Sequence, residues 1–167
     1  MPIRFAVTFA LSLVCTVIPA WADFQAGMEA KNRGYFAKAL REWRPLAEQG
    51  DAHAQFYLGL LYENGDGIPT DYGKAREWYE KSAAQGEANA QFYLGLMSAF
   101  GRGGPLDLVQ AYIWYSLAAD NGHARAVLHR KDLAREMKPA QIADAQKRAK
   151  ELNDKHPGVL DTPGSKK

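Results

Sequence analysis

The chain has 167 residues, 21 of them basic and 19 acidic, with four histidines and a single cysteine. That length suits one ordinary domain, and near-balanced charge without a basic block among aromatics speaks against a nucleic-acid partner. One thiol supports no disulfide framework within the chain.

The N-terminal stretch reads as a leader. Arg4 gives a positive start, Phe5 to Ile18 is an apolar run, Pro19 breaks it, and Ala20-Trp21-Ala22 supplies the small-x-small pattern cut by signal peptidase. The run of 14 residues would rise about 21 Å as a helix, short of a hydrocarbon core of roughly 30 Å, which argues against an uncleaved anchor. Residues 1–22 are therefore expected to be a signal peptide cut after Ala22. The remaining chain would be periplasmic or secreted, start at Asp23 and have no stable membrane insertion. Cys15 would leave with the leader, and Val14 before it does not suit a lipoprotein signal.

Residues 23–50 read as a helical hairpin. Gly27, Ala30, Gly34, Phe36, Ala39 and Trp43 set its spacing, and Asn32-Arg33-Gly34 forms a tight turn. The second helix is expected over 35–49, with Phe36, Ala39, Leu40, Trp43 and Ala47 facing in and Pro45 kinking its last turn.

A 36-residue block then occurs twice, over 51–86 and 87–122. Ala54-Gln55-Phe56-Tyr57-Leu58-Gly59-Leu60 recurs as Ala90-Gln91-Phe92-Tyr93-Leu94-Gly95-Leu96, and the same step carries Pro69 to Pro105, Asp71 to Asp107 and Trp78-Tyr79 to Trp114-Tyr115. A fixed period of this length signals a stacked repeat whose units bury their apolar faces against each other. In the first block, helix A is expected over 52–63 and is apolar on most sides, hence buried on most sides. Gly59 within it costs about 1 kcal/mol of helix propensity, for which close approach of the partner helix is the return. Helix B, over 72–85, carries Ala75, Trp78, Tyr79, Ser82 and Ala83 as one inward stripe, Asp71 as its N-cap, and a Glu77–Lys81 pair outside. The glycine-rich loop between them lacks Gly-Lys-Ser/Thr and a preceding strand, so it is not a phosphate loop, and it lacks the carboxylates of a calcium loop. Its glycines serve the turn.

Leu58-Gly59-x-x-Tyr62 followed by Ala75-x-x-x-Tyr79 reproduces spacings of the tetratricopeptide hairpin. The longer unit, the Gly-x-Gly-x-Pro-x-Asp loop and the Ala-x-x-Trp-Tyr-x-x-x-Ala helix resemble the Sel-one-like repeat (SLR) family. The resemblance is specific over 51–122, with Ser98 in the place of Tyr62 as its one departure. It implies an all-α, right-handed α-solenoid of stacked helix-turn-helix repeats that acts as an adaptor in protein complexes, often exported from bacteria.

After the repeats, a third helix A is expected over 124–137 and a final helix from Pro139, with Ile142, Ala145, Ala149 and Leu152 inward, so that 123–152 is a partial repeat and cap. Residues 153–167 are rich in Pro, Gly and Ser and read as a disordered tail.

No catalytic motif is present among His53, His123, His129 and His156, and His123 and His129 lack the one-turn spacing of metal ligands on a helix. The expectation is no enzyme, no cofactor and no metal. Two surfaces are candidates for a protein or peptide partner. By analogy with tetratricopeptide arrays, a concave side would carry His53, Phe56, Leu60, Glu63, Asn89, Phe92, Leu96, Ala99 and Arg125. On helix B, Arg76, Glu77 and Lys81 of the first repeat become Tyr112, Ile113 and Leu117 in the second, an apolar strip that either docks the final helix or binds a partner. The reading is a non-catalytic scaffold of the bacterial envelope, in one form a periplasmic regulator of a sensor or cell-wall protein. The alternative is a cell-wall-associated enzyme or small-ligand binder.

Overall fold

The computed structural model describes residues 20–155. These form eight helices and, among the described residues, no strand: α1 (Ala20–Asn32), α2 (Phe36–Glu48), α3 (Ala52–Asn64), α4 (Tyr72–Ala83), α5 (Ala88–Phe100), α6 (Leu108–Asp120), α7 (Ala124–Ala134) and α8 (Pro139–Lys155). Most of the expected leader and the segment 156–167 lie outside the described residues. The helices pair as α1–α2, α3–α4 and α5–α6, and successive pairs stack through α2–α3 and α4–α5. This is an all-α helical-repeat solenoid.

The period sets the helix starts. Asp51, Glu87 and His123, each 36 residues apart, cap α3, α5 and α7 by accepting the backbone N–H three residues on; Asp71 and Asp107 do the same for α4 and α6. The period also sets the hairpin packing. A Cβ added at Gly59 would stand 2.6 Å from the Tyr79 ring, and Gly95 meets Tyr115 and Gly27 meets Trp43 in the same way. Each glycine thus lets an aromatic from the second helix press against the backbone of the first. The A–B loop seats on the preceding hairpin: at Gly67 (φ 75°) an added Cβ would stand 2.9 Å from the Ala37 amide and Phe36. The loop is structural, as its turn chemistry requires.

Between hairpins the stack is held by buried glutamines. Gln55 Nε2 donates to the Ala47 carbonyl (3.0 Å) and Gln91 Nε2 to that of Ala83 (3.2 Å). Their carbonyl oxygens accept from Gln85 and Asn121, both at 2.8 Å. Every one of these buried amides is paired, so the interfaces carry no desolvation penalty from them.

Several expectations shift. The helix α7 ends at Ala134, three residues early, and α8 runs on to Lys155, so 153–155 are helical. Trp78 is half-buried, with Lys81 Nζ over its ring at 4.0 Å instead of paired with Glu77. Leu152 stays exposed at the end of the α8 stripe, whereas Ala145 and Ala149 are buried. The helix-B strip resolves as core: Tyr112, Ile113 and Leu117 are all less than 9% exposed. The cover is α8, which packs on α6, and Gln146 Nε2 donates to the Tyr112 hydroxyl at 3.3 Å. Glu77 and Lys81 are exposed, whereas Arg76 is partly buried against the loop of the following repeat and donates to the Arg102 carbonyl at 3.3 Å.

Candidate partner-binding face

The first helices of the hairpins, α1, α3 and α5, and the unpaired α7 are bridged side by side by aromatic contacts. Phe24 lies 5.7 Å from Tyr57 and 6.1 Å from His53; Phe56 lies 5.6 Å from Tyr93; Phe92 lies 5.1 Å from His129. Lys31 Nζ stands 5.5 Å over the Tyr57 ring, and the Arg125 guanidinium 5.2 Å over Phe92.

Of the expected lining, the two phenylalanines and Glu63 are buried. Phe56 and Phe92 are buried in the core, so they are unavailable to a partner. The reason is helical geometry: Phe56 and Phe92 pack on the helix-B aromatic of their own hairpin, Tyr79 and Tyr115, both at 5.8 Å, whereas the next residues pack on that of the preceding hairpin, Tyr57 stacking on Trp43 at 4.8 Å and Tyr93 lying 5.5 Å from Tyr79, and stay half-buried. Tyr57, Leu60, Tyr93 and Leu96 are half-buried, Ala99 likewise, and His53, Asn89 and Arg125 are exposed. Burial raises the phenolic pKa of Tyr57, with the Glu87 carboxylate adding to it; burial and then Glu63 raise that of Tyr93, against Arg125. Both hydroxyls stay protonated donors at neutral pH. Sequence reasoning missed these two tyrosines; two adjacent aromatics in a helix buried on most sides left the register open.

Glu63 is also internal. Its carboxylate accepts from the Tyr79 hydroxyl at 2.8 Å and from Arg102 of the following repeat at 3.2 Å. Burial first, then the Glu63 charge, push the Tyr79 hydroxyl far above the usual tyrosine range. This acid is a link between repeats and cannot meet a partner, a role its place in the sequence did not show because Arg102 is 39 residues away.

His123 and His129, unrelated along the helix, both flank Phe92, at 4.2 Å and 5.1 Å between ring centroids. His123 caps α7 through Nδ1, which accepts from the Ala126 amide at 3.2 Å, and burial followed by the Arg125 charge holds its pKa below the ordinary value. Among the described residues no three His, Cys, Asp or Glu side chains are grouped to hold a metal ion, and no helix is long and apolar enough to cross a membrane. On the other side of the array a cavity of ≈ 170 Å³ lies where α4, α6 and the end of α8 meet, lined by Ala83, Ala84, Trp114, Leu117 and Leu152.

The sequence matches the Sel1 repeat family model twice, over residues 52–87 and 88–123. No curated protein matches it. Among solved structures, it resembles the crystal structure of a protective antigen present in uropathogenic Escherichia coli strains and displaying an SLR fold, at 27% identity and TM-score 0.80, over 85% of this chain and 32% of that one. The chain thus spans about a third of that antigen's length. It also resembles a Sel1 repeat protein from Oxalobacter formigenes, at 32% identity and TM-score 0.61, over 68% of this chain and 88% of that one.

Proposed function

This chain belongs to the Sel1 repeat family, whose repeats generally mediate protein–protein interaction, and from that premise we propose that it is a non-catalytic scaffold whose α1–α3–α5–α7 face holds an extended segment of a partner protein. The observation that carries this is the row of half-buried Tyr57, Leu60, Tyr93 and Leu96, repeated at the period of the fold and left open to water beside exposed His53, Asn89 and Arg125. Half-buried tyrosines supply rigid contact area with a donor at the tip, at little entropic cost.

The scaffold works in the bacterial envelope, in one form as a periplasmic regulator of a sensor or cell-wall protein. The support is the leader pattern of Arg4, Phe5–Ile18 and Ala20-Trp21-Ala22. A cut after Ala22 would spare Phe24, whose carbonyl accepts from Trp43 Nε1 at 3.2 Å. Mass measurement of the N-terminus in an exported fraction tests that part: a chain starting at Asp23 supports it, and a retained Met1 ends it.

The binding face is tested by crosslinking pull-down of the tagged full chain from the native envelope. Arg125→Glu should lose the partner at a melting temperature near wild type, Leu96→Glu should lose it with a modest fall because Leu96 packs against the core, and Glu77→Arg on the opposite side should keep it. A partner retained by both face variants would refute the assignment.

A further inference from the structure

Three buried aromatics recur at the 36-residue period on the second helices: Trp43, Tyr79 and Tyr115, none more than 2% exposed. Each presses on the glycine of its own hairpin, Gly27, Gly59 or Gly95. Each also carries one polar atom on its ring, able to donate a hydrogen bond. Trp43 Nε1 donates to the Phe24 carbonyl at 3.2 Å, and the Tyr79 hydroxyl donates to Glu63 at 2.8 Å. Among the described residues, the Tyr115 hydroxyl has no hydrogen-bond partner.

The cause is one substitution. The residue 36 positions after Glu63 is Ala99, so the second repeat lacks the acid that satisfies the first. The surroundings nevertheless suit an acid. His129, at the position of Tyr93, packs on the Tyr115 ring at 5.4 Å between centroids, while Arg125, one turn earlier, lies over Phe92 instead, at 5.2 Å. Lys138 stands at the sequence position of Arg102 and is exposed. Burial pushes the Tyr115 hydroxyl up to about 12, so it remains a donor.

Resting on the scaffold reading above, we propose that this end of the face is a subsite for a glutamate side chain of an extended partner peptide, whose carboxylate takes the place beside Tyr115 and His129 that Glu63 fills beside Tyr79. A side chain is favoured over a peptide's C-terminal carboxylate because the group it replaces is a glutamate. The face also continues past the subsite: Tyr93 and Leu96 lie on one side of it, and α8 packs on α6 and leaves α7 uncapped on the other. A peptide would pass through here instead of stopping.

The test uses the full chain, labelled at tyrosine and histidine for NMR, titrated with N-acetylglutamate N-methylamide. Saturable shifts at Tyr115 and His129 are expected, with a Kd on the order of 1 mM for one charge-assisted contact. The glutamine analogue should give none, and N-acetylglycine, with a terminal-type carboxylate, should bind more weakly. Ala99→Glu, which supplies the missing acid from within, should abolish the shifts and raise the melting temperature by about 2–4 °C. If that variant does not fold, Tyr115→Phe decides: it must lose the glutamate-specific shifts. Absence of saturation, an equal response to the glutamine analogue, or unchanged binding in Tyr115→Phe overturns the subsite, and stronger binding of N-acetylglycine overturns the choice of a side chain. Failure here with Leu96→Glu still losing its partner would refute the subsite and leave the scaffold reading standing.

Discussion

Tyr79 and Tyr115 offer a paired experiment in one molecule, because the period gives them the same place in the hairpin and only Tyr79 has an internal acid to donate to. Tyr79→Phe keeps the ring, its packing on Gly59 and its place 5.8 Å from Phe56, and removes only the hydroxyl. That hydroxyl donates to a carboxylate that is 9% exposed, and a hydrogen bond to a charged group contributes about 1.5–3 kcal/mol. Glu63 keeps Arg102 at 3.2 Å, but that arginine is 49% exposed and compensates only in part. The expected loss is therefore about 2 kcal/mol, a fall in melting temperature of about 4–8 °C. Tyr115→Phe removes a hydroxyl with no partner among the described residues and should change stability by less than about 0.5 kcal/mol in the absence of ligand. Urea and thermal denaturation of both variants, followed by a double-mutant cycle of Tyr79→Phe with Glu63→Gln, separate the cases. The cycle should give a coupling of about 1–2 kcal/mol. Equal losses at the two tyrosines, or a coupling near zero, would refute the claim that Glu63 is an internal link and with it the comparison on which the subsite rests.

Three further outcomes follow from the packing. Leu117→Glu places a charge without a partner beneath α8 and should cost about 3–5 kcal/mol, with α8 becoming protease-sensitive; an unchanged melting temperature would mean that the strip is open. Gly59→Ala gains about 1 kcal/mol of helix propensity yet forces the Tyr79 ring away from a Cβ 2.6 Å distant, so overpacking of about 1–3 kcal/mol should win, and a rise in stability would contradict the close approach. The pKa of His123 is lowered in the fold, so below its ordinary 6.5 the unfolded chain binds more protons and stability falls with pH until the depressed folded value is passed. His123→Asp keeps a capping acceptor, as Asp51 does in α3, and should flatten the melting-temperature curve between about pH 7 and pH 5; parallel curves would remove His123 as the source of that slope.

The fold was legible because the period fixes it. One repeated heptapeptide, two aspartate caps and the glycine in helix A specify where helices start, which face is inside and how closely they approach. The site was legible only to within a residue. In a helix apolar on most sides, periodicity does not tell Phe56 from Tyr57, and the decision falls to packing against Tyr79 of the partner helix. Long-range polar pairing was not legible at all: nothing in the order of residues joins Glu63 to Arg102 in the next loop. The Tyr112, Ile113 and Leu117 strip left two readings open because the choice depends on where α8 folds back, and the small Ala145 and Ala149 that permit its approach look unremarkable in sequence.

The placement of α8 bears on function as well as on stability. Had it paired with α7 as a second helix, the array would end in a complete repeat with both faces alike. Packed on α6, it closes the helix-B side over Tyr112 and Leu117, while the helix-A side extends one element further through α7. That last element brings His129 to Tyr115, the tyrosine of its series that lacks an internal acceptor among the described residues. Where the two repeats agree, their residues set the packing and the recurring row of Tyr57, Leu60, Tyr93 and Leu96. At Glu63 against Ala99 the first copy is satisfied within the chain, and the second is the place where the proposed glutamate of a partner would enter.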